Sequence, residues 1–340
     1  MRLRCTALLV ALAGTAAAYF PENFDEPLEV VAFGSCNRDD LPQPLWPEIA
    51  AQDPDLWIWA GDNVYVDWYE GEDDRAGMSA AEWAVKRFDA QFDRPDYRTF
   101  RAAFPIVGTW DDHDYGKNNA GAAFALKEVT KTLLLDFLEV PADAPLRGRE
   151  GVYQSYTFGP EGKQVKILLL DNRYFMTGPE SEDPVLLGEA QRAWLEAELR
   201  ESTAGLHLIV SGIQVLSEEH RWDRWTKFPG VREWLIDFVV EERIPGVIFL
   251  SGDRHIHELS RMEVEGLPYP LIDLTSSGLT HAWTTFEGEP NRHRVGEVVK
   301  ENGYGLLRID WDADPLAVDF KIRTAADEPA LSFRQSYPRR

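Results

Sequence analysis

The sequence predicts a mixed α/β fold. Short apolar or β-branched runs alternate with segments of helical spacing, and a last pair of strands follows with no helix between them. A third observation is that each of the six leading apolar runs stops at a small or polar residue, as strands do when they leave a sheet. In chain order, a strand over Leu28–Phe33 precedes a helix over Pro44–Gln52. A strand over Leu56–Ala60 precedes a helix over Glu82–Phe92, and Pro105–Trp110 precedes a helix over Ala122–Leu138. The strand Val165–Leu170 leads to the helix Leu187–Arg200, Leu206–Ser211 to the helix Val231–Glu242, and Gly246–Leu250 completes the series. Leu306–Trp311 and Ala317–Arg323, joined by Asp312-Ala313-Asp314-Pro315, read as a hairpin.

The boundaries follow from composition. Residues 1–18 open with the basic Met1-Arg2-Leu3-Arg4, continue with an apolar run over Leu8–Ala13 and end in Ala16-Ala17-Ala18, the pattern of a secretory signal peptide. The alternative is an uncleaved anchor helix, but the run is short for a bilayer span, so cleavage is expected, with no stable membrane insertion after it. The expected location is secreted or extracellular, the periplasm or cell surface in a bacterium. One domain is expected over 19–321, with 322–340 as a fraying C-terminal tail and Glu70–Ala76 and Gly178–Asp183 as loops.

With 340 residues, 44% hydrophobic and 27% charged, the chain is globular in composition. Its 58 acidic against 35 basic residues, a formal charge of −23, exclude bulk nucleic-acid binding. An anionic substrate must therefore be attracted by local cations. Cleavage after Ala18 removes Cys5 and leaves Cys36 alone, without a disulfide partner. Such a thiol is either buried as a small hydrophobe or occupied by a metal. The 12 Trp raise the idea of a carbohydrate-binding surface, but Trp57 and Trp59 alternate along one strand, and core packing accounts for them better.

The chemistry gathers where strands end, as sites do in open α/β sheets. Phe33 is followed by Gly34-Ser35-Cys36-Asn37, and Ala60 by Gly61-Asp62-Asn63. Trp110 is followed by Asp111-Asp112-His113-Asp114, Leu170 by Asp171-Asn172-Arg173, Ser211 by Gly212-Ile213-Gln214, and Leu250 by Ser251-Gly252-Asp253-Arg254-His255. Asp62 is a turn residue or a ligand, and Tyr65 either packs or leans back as a phenolate. Three carboxylates in four residues at Asp111–Asp114 repel one another unless cations neutralise them. His113 between them is a ligand, a general acid or a donor to a transition-state oxygen. Asn118 and Asn119 either form a turn or contribute a carbonyl oxygen. Arg173 holds phosphoryl oxygens in its planar fork or pairs with Asp171. If the segment after Leu250 is extended, His255 and His257 share a face and Arg254 points away. Hard oxygen donors beside one thiolate and imidazoles suit a mixed metal site.

The order of these motifs resembles the PhoD-like alkaline phosphatases of the calcineurin-like metallophosphoesterase superfamily. The matching segments are GSCN at Gly34–Asn37, GDNVYVD at Gly61–Asp67, WDDHDYGKNNAG at Trp110–Gly121 and LLLDNRYF at Leu168–Phe175. SGIQVL at Ser211–Leu216, SGDRHIHELS at Ser251–Ser260 and LTSSGLTHAW at Leu274–Trp283 complete the set. The resemblance implies a four-layer αββα sandwich, two mixed β-sheets flanked by helices. It implies hydrolysis of phosphate mono- or diesters by a metal-activated hydroxide, with iron (Fe3+) and calcium (Ca2+) as cofactors. Carried over, Cys36, Asp62 and Tyr65 hold the iron, Asp112 bridges, and Asp253 and His255 bind a second metal, with Asn118 nearby. His113 becomes the proton donor or a phosphoryl-oxygen contact, and Asp171 and Arg173 are kept in the LLLDNRYF segment. The substrate is then a small phosphate ester or a phosphodiester. The alternative is an exported metal-binding protein without catalysis.

Overall fold

The computed structural model describes residues 25–67 and 77–339. The expected signal peptide and the whole of the acidic loop at 70–76 lie outside these residues. Strands β1 (Val30–Gly34), β2 (Leu56–Ala60), β3 (Ile106–Thr109), β4 (Gln154–Phe158), β5 (Val165–Leu169), β6 (Leu206–Ser211) and β7 (Val247–Ser251) are followed by β8 (His257–Met262), β9 (Leu271–Ser276) and β10 (Arg294–Val299). The last three are β11 (Tyr304–Asp310), β12 (Leu316–Arg323) and β13 (Leu331–Tyr337). The helices are α1 (Trp46–Ala51), α2 (Ala80–Phe92), α3 (Pro95–Arg101), α4 (Asp112–Tyr115), α5 (Lys127–Phe137), α6 (Glu189–Arg200) and α7 (Val231–Glu241).

Two mixed sheets form. One has the order β13-β12-β11-β1-β2-β3, the other β10-β8-β9-β7-β6-β5-β4. Strands β1, β2 and β3 run parallel, as do β5, β6, β7 and β9. Their side chains are buried on both faces, which is why these segments read as continuous apolar runs.

Alternation along β2 sets the layers. Leu56, Ile58 and Ala60 join the core between the sheets, with Val165, Ile167 and Leu208. Trp57 and Trp59 point the other way, into a cluster with Trp46, Tyr97, Phe100 and Phe137 from the covering helices. Trp46 meets Trp57 and Trp59 edge-on at 5.3 and 5.5 Å between ring centroids, so these indoles are core. Leu195, Leu199, Leu235 and Val239 of α6 and α7 close the far side. The result is the four-layer sandwich.

Three expectations change. The helix expected over Ala122–Leu138 starts only at Lys127, because the Ala122 N–H donates to the Met176 carbonyl at 2.8 Å and ties that stretch to the loop after β5. Strands β4, β8, β9 and β10 were not expected. In β8 and β9 the apolar pattern is broken by His257, Glu258 and Asp273, all buried and hydrogen-bonded. Within the tail expected to fray at 322–340, two stretches are sheet: β12 continues to Arg323, and β13 pairs with it from Leu316↔Tyr337 to Ile322↔Leu331. Cross-strand pairing of Phe333 with Phe320 and full burial of Tyr337 hold it there. Among the described residues no helix is long and apolar enough to cross a membrane.

Candidate metal centre

The two sheets bring their strand ends together, and with them the residues that follow β1, β2, β3 and β7. Gly61 leaves β2 with φ of +93°, and a Cβ there would lie 2.6 Å from the Asp111 Cβ. Glycine therefore lets the Asp62 loop and the Asp111 loop touch. Cys36, Asp62, Asp253 and His255 all have positive φ, between 52° and 68°. For non-glycine residues this costs on the order of 1 kcal/mol each, and such strain collects where side chains must be aimed. Here it accompanies four donors that follow β1, β2 and β7 and belong to the contiguous donor groups described next.

Three groups of donors have their ligand atoms mutually within 4.8 Å: Cys36–Asp62–His255, Asp62–Asp112–His113 and Asp111–Asp112–Asp253. Asp62 and Asp112 are each shared by two groups, so the three are contiguous. Tyr65 joins the first: its hydroxyl donates to Asp62 Oδ2 at 3.3 Å and lies 3.2 Å from His255 Nε2. Cys36 Sγ lies 3.3 Å from Asp62 Oδ2, and burial pushes its thiol up to about 11. Burial, and then the negative charges of Cys36 and its acidic neighbours, raise Asp62 well above the usual carboxylate range. Burial, with Asp111 and Asp112 adding to it, pushes Asp253 up to about 8. Burial likewise carries Asp111 up to about 7 although Arg173 opposes it. For Asp112 burial is outweighed by Arg173, His113 and the Asn119 N–H, and it stays low. Asp111 Oδ2 and Asp112 Oδ1 are buried without a hydrogen-bond partner. Crowded carboxylates with orphaned oxygens, one thiol, one phenol and an imidazole are a donor set that cations complete.

His113 is held differently. Its Nδ1 lies 2.7 Å from Asp67 Oδ2, its ring stacks on Tyr65 at 4.2 Å, and its backbone N–H donates to Asp62 Oδ1 at 3.2 Å. Burial opposes its charge, but Asp62, Asp112 and Asp67 together push it up to about 11, so it carries its proton. Asp114 serves structure: it accepts from the Asn63 N–H and the Asp111 N–H and locks the two loops. Asn118 lines the cleft, its backbone N–H donating to Asp67, and Asn119 N–H donates to Asp112 Oδ2 at 2.6 Å.

Two expectations are corrected. Arg173 does not reach the cleft: its side chain is fully buried, with Nε 2.6 Å from Asp111 and Nη1 3.0 Å from Asp223. Nor does it pair with Asp171, which instead accepts from Trp110 Nε1 and from the backbone N–H groups of Arg173, Tyr174 and Val152. Arg173 is a positioning residue that orients Asp111. The segment after β7 is not extended, because Asp253 and His255 have positive φ. His257 turns into the core, where its Nε2 lies 3.0 Å from the Glu301 carbonyl oxygen, while Arg254 lines the cleft. Asp253 and His255 consequently fall into different donor groups. Sequence reasoning missed Asp111 as a donor and Asp67 as the anchor of His113, although both lie inside quoted motifs. For Trp222 and Asp223 there was no signal.

The site opens to a cleft of about 290 Å³, lined by His113, Asn118, Asp253, His255 and Trp222 among others. The family model of the PhoD-like phosphatases matches residues 32–283. The chain belongs to that family. Alkaline phosphatase D of Bacillus subtilis (strain 168) is 24% identical over 291 residues, 69% of this chain and 47% of the relative. The PhoD-like chain thus spans about half the length of that curated relative. The solved structure of PhoD covers 93% of this chain, and 72% of its own, with a TM-score of 0.73 at 19% identity. A purple acid phosphatase from yellow lupin (Lupinus luteus) seeds covers 93% of this chain and 55% of its own at a TM-score of 0.60 and 12% identity. The fold is shared with both.

The carboxylates give a pH dependence for protein stripped of metal. A carboxyl whose folded value is raised holds its proton more tightly in the folded state, so its stabilisation is complete below 3.8 and lost as pH rises to about 8. Chelated protein is expected to melt at falling temperature from about pH 6.5, where the buried neutral His220, His255, His257 and His281 cease to oppose the carboxyls, through pH 8 and on toward about pH 11 as His113 loses its contribution. Cations should replace those protons, so metal-replete protein should fall much less. Calorimetric melts of both forms check this, and a Tm of chelated protein that rises across the interval contradicts it.

Proposed function

We propose that this chain is an exported, metal-dependent phosphoric ester hydrolase acting on mono- and diesters. The observation that carries the reading is the contiguous run of donor groups, joined through Asp62 and Asp112, on the cleft beside a His113 whose ring is anchored by Asp67. Cys36, Asp62, Tyr65 and His255 suit iron, and Asp111, Asp112 and Asp253 suit calcium, with an Asn118 oxygen in reach of the same cleft. When bound, these ions supply Lewis-acid polarisation of phosphoryl oxygens and activation of water. The chain's own residues do the rest. Asp67 fixes the His113 ring and its proton through Nδ1, which leaves Nε2 to donate to an ester oxygen that gains charge as it departs. Arg173 holds Asp111 in place. Room for a diester's second arm is supported by a neighbouring groove of about 480 Å³, which shares Asn119 and Asp223 with the cleft. The basic start, apolar run and Ala16–Ala18 end of the first residues support export.

A metal-binding protein without catalysis would need neither an anchored His113 nor an open cleft. Elemental analysis of purified protein, run beside hydrolysis of p-nitrophenyl phosphate and bis-p-nitrophenyl phosphate, tests the choice. Iron and calcium, turnover abolished by chelation, and recovery better with both ions than with zinc are expected. Bound metal with no turnover of either ester favours the binding protein.

A further inference from the structure

Most tryptophans with a described environment are interior, but Trp222 is not. Among the described residues, Trp222 at 37% exposure and Val85 are the large hydrophobic residues left exposed. Trp222 also lines the cleft that holds the donor groups, together with Arg221, Arg254 and Trp283. Its indole meets the Trp283 ring edge-on at 6.0 Å, and its Nε1–H donates to Glu289 Oε1 at 2.9 Å. The Arg221 guanidinium lies 4.5 Å and that of Arg254 5.6 Å from the Trp222 ring centre. The orientation of this exposed indole is therefore set from several sides, which is preorganisation and not a mobile surface side chain.

Arg254 links this wall to the donor groups. It follows Asp253 directly and is anchored through Nη2 to Glu289, and its buried Nε has no hydrogen-bond partner. Arg254 also lines the cleft, so its guanidinium is a cation beside the space a phosphoryl group would enter. A ligand with its phosphorus at the donor groups thus has a guanidinium beside the phosphoryl oxygens and a fixed π-surface beyond it.

Resting on the phosphoesterase reading, we propose that Trp222, flanked by Trp283 and Arg221, forms a subsite for a flat aromatic or heteroaromatic ring in the organic group of the phosphoester. The subsite determines specificity and takes no part in bond breaking. Stacking between rings contributes roughly 0.5–1.5 kcal/mol beyond area burial, so the expected preference is about 3- to 10-fold.

The test uses phosphonates, whose P–C bond hydrolysis does not cut. Phenylphosphonate and benzylphosphonate are titrated against methylphosphonate into the full chain with its metals, by calorimetry and by tryptophan fluorescence. At least one aromatic phosphonate is expected to bind about 3- to 10-fold tighter than methylphosphonate. Trp222→Leu is expected to erase that preference and the fluorescence response while methylphosphonate binding stays within twofold, and Trp222→Phe to keep most of it. Equal or undetectable affinities in the wild type overturn the proposal, as does a preference that survives Trp222→Leu. If Trp222→Leu does not fold, Trp222→Phe and the wild-type comparison still decide. An intact preference in a protein that hydrolyses no phosphoester would overturn the phosphoesterase reading and leave the ring subsite standing.

Discussion

Asp112→Ala is expected to empty the centre of metal and to abolish hydrolysis. Asp112 belongs to two of the three donor groups, one with Asp62 and His113 and the other with Asp111 and Asp253. Its Oδ1 is buried without a partner, while Oδ2 is satisfied by the Asn119 N–H. The substitution therefore removes a donor common to both groups, and with it the acceptor that the Asn119 N–H uses. Loss of Lewis-acid stabilisation amounting to several kcal/mol lowers turnover by about 100-fold or more. Elemental analysis should find most of the metal gone, and the melting temperature should approach that of chelated wild type. Wild-type metal content in Asp112→Ala would remove Asp112 from the coordination shell.

His113→Ala separates proton donation from metal binding. His113 lies in one donor group by distance, but its Nδ1 is engaged by Asp67 and its charge is held by three carboxylates. Metal content near that of wild type and a fall in turnover of roughly 10²–10⁴ are expected, the range for a positioned general acid. The fall should be smaller for esters with good leaving groups, which need less protonation as they depart. Metal loss equal to that of Asp112→Ala would make His113 a ligand instead. Asp67→Asn should weaken turnover in the same direction with metal retained, since it loosens the ring's anchor without touching the donor groups.

Much of the centre was legible because each donor follows an apolar strand. Cys36, Asp62, Asp112 and Asp253 come directly after runs that could only be buried strands, and strand ends of two facing sheets converge. Local rules suffice for that. They do not suffice for side-chain direction. A two-residue alternation placed Arg254 away from the cleft, and positive φ at Asp253 and His255 reversed it. The choice of partner for Arg173 was framed within one loop, with Asp171 as the neighbour. In the fold that guanidinium crosses to Asp111 from the loop after β3 and to Asp223 from the loop after β6. Strands β8 and β9 escaped because their polar residues are satisfied by partners far along the chain, such as Glu258 by Gln214 and Asp273 by Ser251.

The sequence by itself determined the α/β plan, the points along the chain where chemistry would appear and the types of donor gathered there. Those depend on hydrophobic runs and on residue identity, which are local properties. Only the tertiary structure decided which candidate donors lie within reach of one another, that Asp111 is among them, that Arg173 is buried against Asp111, and that Trp222 stands on the cleft. The final β13 was likewise decided by pairing, because an alternating, half-exposed segment becomes a strand only when β12 offers it an edge. Each of these outcomes rests on contacts between residues far apart in the chain, and such contacts exist only once two sheets and their loops have packed together.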